Sequence, residues 1–385
     1  MIQRDVSKSI MDSLNKNKSV LLIGPRQTGK STLIKNLKPD LSFNLSDQNI
    51  FIRFLNNPDY LQQHIKGHKI SNGIVFIDEV QRIPSLLNTI QSIVDENKKI
   101  RFILTGSSAR KLKRGHANLL PGRIHDYRLG PITAKEMNYK FDIQKALSYG
   151  SLPEVVTENE TLPIKKLLKS YTQVYLTEEI KAEALTKNLE GFTRFIYNIA
   201  IESTHFLDLS KISKAIAVPR QTTQRYFEIL EDTLIIHRCE AFAKSDKRRL
   251  IQHPRFFIFD NGVLNALIAN FNPSADRMGL LFENLVFNQM KCSLENAQLD
   301  YRISSYRTSA GAEVDFILEL ENKIIAIEVK SSHYSKSDYS AGFKSFEDFT
   351  SKKVRKIVIH NKNEKLKNED VEMMSLIDFL KDLGI

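Results

Sequence analysis

The chain opens on an amphipathic pattern over residues 3–17, followed at once by the short apolar run SVLLI, Ser19 to Ile23. Strand-like runs recur at about 42–45, 74–78, 100–104 and 125–129, with helical spacing between them. Strands alternating with helices predict a parallel sheet covered on both faces. From about 133 to 205 the apolar residues fall three and four apart, as in ETLPIKKLLKSYTQVYLTEEI, and the segment reads as helical. Residues 207–260 read as a compact helix-rich unit ending in short strands. From about 275 the pattern gives a helix, a hairpin, a second helix and a strand near 353–359. That makes three blocks, with boundaries near 135 and 265.

Length and composition narrow this picture. A chain of 385 residues is long for one core, which suits two or three domains. Hydrophobic content of 42% and charged content of 26% are ordinary for a globular protein. The net charge of +11 makes a polyanionic partner plausible without naming it. Cys239 and Cys292 are too few for a disulfide framework or a zinc site, as in a reducing compartment. The polar start MIQRDVSKS lacks a signal peptide's apolar stretch, and no apolar run approaches the roughly 20 residues that cross a bilayer. The expectation is a cytoplasmic protein with no membrane partner.

Chemistry enters after the first apolar strand. Gly24, Pro25, Arg26, Gln27, Thr28, Gly29, Lys30 and Ser31 match the phosphate-binding loop in full, and Thr32 belongs to the helical pattern that follows. Glycines let main-chain amides close around phosphates, and a helix N-terminus adds favourable field. Lys30 is expected to reach the β and γ phosphates of ATP, and Ser31 to ligate Mg²⁺. The buried run Ile74–Ile77 then delivers Asp78 and Glu79 at a strand's carboxyl end, where ligands bind in such sheets. Asp78 suits the Mg²⁺ shell and Glu79 suits polarising the attacking water. Thr105 and Ser107, at the end of the next strand, are candidate sensors of the γ-phosphate. Arg110 and Arg123 are candidates for transition-state charge, within the chain or across a subunit boundary.

Residues 209–230 read as helix, turn, helix. Apolar positions 209, 212, 216, 226, 229 and 230 form a core stripe, while Arg220, Gln221, Thr222, Gln224 and Arg225 crowd the second helix's start. That composition suits a recognition helix meeting DNA. A strand pair is expected after Leu234, with Lys244, Lys247, Arg248 and Arg249 near its tip, placed to hold phosphates. Such modules also serve as lids or dimer contacts, so assembly into a homo-oligomer stays open.

Further on, Glu313–Leu320 and Lys323–Lys330 read as a hairpin joined at Glu321 and Asn322. A two- or four-residue loop places Asp315 opposite Glu328, where like charges are destabilising. A divalent cation would remove that penalty, and Lys330, on the same face as Glu328, would steady developing charge in phosphodiester hydrolysis. The plainer alternative is a solvated charged face.

Taken together, GPRQTGKST, VFIDEVQRIP, LTGSSARKL, RLGPITAKEM, YLTEEI, LFENLVFNQM and GAEVDF with IEVKSS resemble, over nearly the whole chain, the prokaryotic AAA-type (STAND-like) ATPases that carry a carboxyl-terminal domain of restriction-endonuclease-like type. One departure is Gly150-Ser151-Leu152-Pro153, where that pattern has a second glycine after the first. The resemblance implies an α/β architecture: a P-loop NTPase parallel sheet over 1–134, a helical lid over 135–205, a winged helix over 206–264, and an α/β restriction-endonuclease-like domain over 265–385. It also implies a metal site of Glu283, Asp315, Glu328 and Lys330, with Asp315 and Glu328 as ligands and the Val329 carbonyl as an extra one. Two functions are consistent with all this. One is an ATP-hydrolysing enzyme acting on or regulated by DNA, with a metal-dependent nuclease domain. The other is a nucleotide-controlled switch whose carboxyl-terminal domain binds a partner without cutting.

Overall fold

The computed structural model describes residues 2–107, 122–175, 188–206, 208–242, 253–321, 323–331, 337–350, 352–362, 364–368 and 370–385. Packing gathers them into two compact units. One is residues 1–130 with the short piece Asp232–Leu234; the other is residues 131–231 with 235–385.

The first unit is built on five strands, β1 (Ser19–Ile23), β2 (Leu41–Asn44), β3 (Gly73–Asp78), β4 (Ile100–Gly106) and β5 (Ile124–Arg128). They lie in the order β2-β3-β4-β1-β5, all parallel. Side chains along a strand alternate between faces, and the apolar residues sort accordingly. Leu21, Val75, Ile77, Phe102 and Leu104 join one buried cluster, while Val20, Leu22, Phe76 and Ile103 join another with Val6 and Ile10 of the first helix. Both faces of β1, β3 and β4 are covered, which is why these central strands read as nearly unbroken apolar runs, whereas the edge strands β2 and β5 are largely exposed. The order sets the carboxyl end of β4 between those of β1 and β3. The loop after β1 and the acids after β3 therefore flank one crevice.

The second unit begins with the helices Ile143–Tyr149, Pro153–Thr157, Thr161–Ser170 and Leu189–Ile201. The pair Leu209–Ala215 and Arg220–Asp232 follows. Its stripe is buried at Ile212, Ile216, Tyr226, Ile229 and Leu230, with Leu209 half-buried against the same core, while Arg220, Gln221, Gln224 and Arg225 are exposed. Asp208 starts the first of these helices by accepting from the main-chain nitrogens of Ser210 and Lys211.

Eight strands complete the unit: β6 (Ile236–Ala241), β7 (Arg255–Ile258), β8 (Tyr301–Arg307), β9 (Glu313–Leu320), β10 (Lys323–Lys330), β11 (Val354–His360), β12 (Leu366–Asn368) and β13 (Val371–Ser375). They form one sheet in the order β12-β13-β11-β10-β9-β8-β6-β7. The antiparallel hairpin β6–β7 that follows the helix pair joins this sheet through the parallel pairing Glu240–Ser304 and Ala241–Ser305. A single apolar cluster runs from Leu147 and Phe195 through Tyr226 and Phe257 to Phe287, Phe316 and Leu380. Segments 135–205, 206–264 and 265–385 thus share a core, and β7 sits where its residues meet those of β9 and of the long helix Ala275–Asn296.

The glycine that precedes the departure at Ser151 has a structural setting. Gly150 adopts φ of 74°, and a Cβ there would lie 2.0 Å from Asp260 Oδ1. Asp260 is buried; its carboxylate accepts from Ser151 N at 2.7 Å and Val263 N at 3.1 Å. Burial pushes its pKa up to about 6, against an ordinary 3.8, with the main-chain donors opposing. The folded state therefore holds a proton on Asp260 between pH 4 and 6 that the unfolded chain has released, and stability falls as pH rises through that window. Urea midpoints should decline over it, and Asp260→Asn should flatten the decline. An unchanged slope would place the proton uptake elsewhere.

Among the described residues no helix is long and apolar enough to cross a membrane.

Candidate functional site

The loop after β1 is shaped by its own backbone. Gln27 and Gly29 take positive φ, 62° and 90°, which turns successive main-chain amides inward ahead of the helix Lys30–Asn36. Gly24 must lack a side chain, since a Cβ would lie 2.2 Å from the Leu129 carbonyl oxygen. Lys30 is buried, and its Nζ donates to the carbonyls of Gly24 at 2.7 Å and Pro25 at 2.8 Å. The ammonium is thus already held over the loop. Thr28 Oγ1 donates to the Pro25 carbonyl at 2.9 Å.

Opposite the loop, Ser31 Oγ donates to Asp78 Oδ2 at 2.6 Å, and Thr105 Oγ1 donates to the other carboxylate oxygen. A hydroxyl and a buried carboxylate side by side form a hard-oxygen pair, which fits Mg²⁺. Glu79 takes φ of 58°, a left-handed conformation uncommon for a side-chain-bearing residue, immediately beyond β3. The Gln81 amide donates both to Glu79 Oε2 and to Ser107 Oγ, the latter at 3.0 Å. Lys30, Ser31, Asp78, Glu79, Thr105 and Ser107 are therefore brought together around one crevice.

Two contributors were not legible in the sequence. Gln81 links the acid after β3 to the serine after β4, yet its only signal is a place two residues beyond Glu79. Arg4 is buried and donates to the Thr28 carbonyl at 2.6 Å and the Gly130 carbonyl at 2.9 Å, bracing the loop. Nothing in residues 1–5 announces a partner so distant in sequence.

Arg123 requires a correction as a source of charge within the chain. It precedes β5, its carbonyl accepts from Ser19 N, and its guanidinium pairs with Asp95. Because β1 and β5 are parallel, Arg123 lies at their amino ends, whereas the phosphate loop follows the carboxyl end of β1. Arg110 lies outside the described residues, as do Lys244, Lys247, Arg248 and Arg249.

In the second unit the hairpin has the register expected for a two-residue loop. Leu320 faces Lys323 and Phe316 faces Ile327, so Asp315 comes next opposite Glu328. The two carboxyls hydrogen-bond each other. Asp315 Oδ2 also accepts from Val329 N at 2.8 Å. Lys330 Nζ stands 3.0 Å from Glu328 Oε2. Glu283, on the helix Ala275–Asn296, joins the group through a residue that the spacing of the acids did not suggest. Arg255 of β7, 3% exposed, donates from Nη2 to Glu283. Its Nη1 lies 3.1 Å from the Asp315 main-chain oxygen and 3.9 Å from Asp315 Oδ1. Glu283, Asp315, Glu328 and Lys330 are thus brought together, with Arg255 among them.

Burial governs the electrostatics of this cluster. It pushes Glu283 up to about 7, with Arg255 pulling the other way and Asp315 adding to the rise. It also pushes Glu328 well above the carboxylate range, reinforced by Asp315 and opposed by Lys330. Burial opposes the charge on Arg255, yet Glu283 and Asp315 keep its pKa raised. Among the described residues no group of three His, Cys, Asp or Glu side chains is placed to hold a metal ion. Cationic side chains already stand beside two of the acids expected at the metal site, Arg255 against Glu283 and Lys330 against Glu328. Glu283 and Asp315 line a cleft of about 750 Å³, together with Lys211, His205, Arg277 and Arg307.

Comparison with known proteins bears on the two units differently. Residues 140–274 and 278–379 match two domains of unknown function, DUF8612 and DUF4143, neither of which speaks to a winged helix or a nuclease. An uncharacterized protein of Mycobacterium tuberculosis is 24% identical over 336 residues, 85% of this chain and 74% of that protein. One from Haemophilus influenzae is 24% identical over 345 residues, 80% of this chain and 81% of its own length. Among solved structures, the replication initiator DnaA bound to AMPPCP and single-stranded DNA aligns with 59% of this chain and 86% of its own. Identity there is 12% and the TM-score 0.28, too slight a likeness to carry a shared fold. Residues 16–138 match the AAA domain family. That match contains a complete phosphate-binding loop, a five-stranded parallel sheet and acids at the end of β3, so residues 16–138 form a domain similar to the AAA family.

Proposed function

We propose that the chain binds and hydrolyses Mg²⁺–ATP in its first unit, that DNA is its target or regulator, and that its second unit is a binding module whose state follows the nucleotide. The carrying observation is the convergence of Lys30, the Ser31–Asp78–Thr105 chain and the Glu79–Gln81–Ser107 chain on one crevice. In this reading main-chain amides from Gly24 to Thr32 receive the phosphates, and Lys30 exchanges its two carbonyl acceptors for phosphate oxygens. Ser31 and Asp78 hold Mg²⁺, which when bound supplies positive charge to the phosphate oxygens. Glu79 orients and deprotonates the attacking water. Gln81 keeps Glu79 tied to Ser107 until a γ-phosphate competes for the same donors.

DNA enters through the exposed start of the helix Arg220–Asp232. Arg220, Gln221, Gln224 and Arg225 project from it unburied, which suits phosphate and base-edge contacts. Replacing both Arg220 and Arg225 with alanine should weaken DNA binding across sequences. It should also lower the slope of log affinity against log salt by roughly two, about 0.9 for each phosphate contact. Fluorescence anisotropy over a salt series measures both. A wild type that binds no DNA at low salt would remove this part of the reading.

A metal-dependent nuclease is the second reading, favoured by the meeting of Asp315, Glu328 and Lys330 on one hairpin with Glu283 beside them. The position of Arg255 favours the non-cutting form.

A further inference from the structure

We infer that Arg255 is the resident cation of the carboxylate cluster in the second unit, filling the role that a divalent ion would otherwise fill beside Glu283 and Asp315. The inference deepens the non-cutting reading above and rests on it. All three guanidinium nitrogens are engaged at once. Nε donates to the Thr204 carbonyl at 2.6 Å, Nη1 to the Asp315 carbonyl at 3.1 Å, and Nη2 to the Glu283 carboxylate. The guanidinium carbon lies 5.4 Å from the ring centre of Phe206, 5.3 Å from Phe257 and 5.6 Å from Phe316. A cation among three aromatic rings is held by their negative faces as well as by its hydrogen bonds.

The chemistry disfavours sharing. A guanidinium does not lose its proton in a protein, so Arg255 cannot neutralise itself to admit a second cation. A divalent ion within reach of both Glu283 and Asp315 would stand against a fixed positive charge in a poorly solvated site, where like charges repel strongly. Lys330 does the same service for Glu328. The group therefore works as a structural ion-pair network joining β7, the hairpin β9–β10 and the helix Ala275–Asn296. It leaves the cleft in front of it to bind without metal.

Two measurements on the full chain, free of nucleotide, test this. The first is thermal unfolding in EDTA of wild type, Glu283→Gln and Asp315→Asn. A cluster awaiting a metal is relieved when one carboxylate is removed, so Tm rises. An arginine-paired cluster loses a partner for a buried charge, so Tm falls. We expect the fall in both variants; a rise in either overturns the inference. The second is a Mn²⁺ titration of wild type and Asp315→Asn, followed by Tm and by the electron paramagnetic resonance of free Mn²⁺. No binding that depends on Asp315 is expected, whereas a wild-type shift lost in the variant overturns the inference. This titration also decides the matter should Glu283→Gln fail to fold. The reading beneath fails separately: Mg²⁺- or Mn²⁺-dependent nicking of plasmid by wild type that disappears in Lys330→Ala would make the domain a nuclease. A Mn²⁺ site without nicking would remove the resident-cation role alone.

Discussion

Lys30→Ala is expected to lose ATP binding outright at ordinary protein concentrations. The ammonium donates to the Gly24 and Pro25 carbonyls within 2.8 Å, so it is placed over the loop before any phosphate arrives. On binding it trades neutral acceptors for charged ones, and a hydrogen bond to a charged group contributes about 1.5–3 kcal/mol. Losing two such bonds weakens affinity by at least about a hundredfold. The loop itself also loses the donor that bridges its two carbonyls. Calorimetry with Mg²⁺ and a non-hydrolysable analogue measures the effect, with circular dichroism to show that the sheet is intact. Retained affinity in a folded Lys30→Ala protein would take the phosphates away from this loop.

Glu79→Gln should separate binding from turnover. The carboxylate stands beyond β3 in a left-handed backbone conformation, and glutamine preserves its shape and its contact with Gln81 while removing the basic oxygen. Positioned acid–base catalysis contributes about 10²–10⁴ in rate, so single-turnover hydrolysis should fall by that factor. Affinity for Mg²⁺–ATP should change little, because Lys30, Ser31 and Asp78 are untouched. The variant would accumulate in the ATP-bound state, the form in which to ask whether the second unit changes partner affinity. Equal losses in binding and rate would assign Glu79 to holding nucleotide instead.

Legibility differed sharply between the two units. In the first, the central strands β1, β3 and β4 were plain because they are buried on both faces and so largely apolar, and the loop could be read because phosphate recognition needs contiguous residues. Thr105 and Ser107 followed from their place at the end of the next strand. Arg123 misled because it follows the sequence Pro-Gly close to β5, and only the parallel pairing of β5 with β1 reveals that this is the amino edge of the sheet. In the second unit the register of Asp315 and Glu328 was legible, since a hairpin with a short loop fixes pairing locally. The continuation of one sheet from β6 into β8 was not, because it rests on a pairing between residues 240 and 304 that no local pattern encodes.

What the sequence determined by itself is therefore the part of this protein whose chemistry depends on neighbours along the chain: a phosphate loop opening a helix, two acids closing a buried strand, two carboxylates facing across a hairpin. The tertiary structure decided how those charges are balanced. Arg255 lies 28 residues from Glu283 and 60 from Asp315. It reads as an ordinary strand residue until the sheet and the long helix bring all three together. Charge neutrality in a buried site is a sum over whatever surrounds it in space, and spacing along the chain carries no record of that sum.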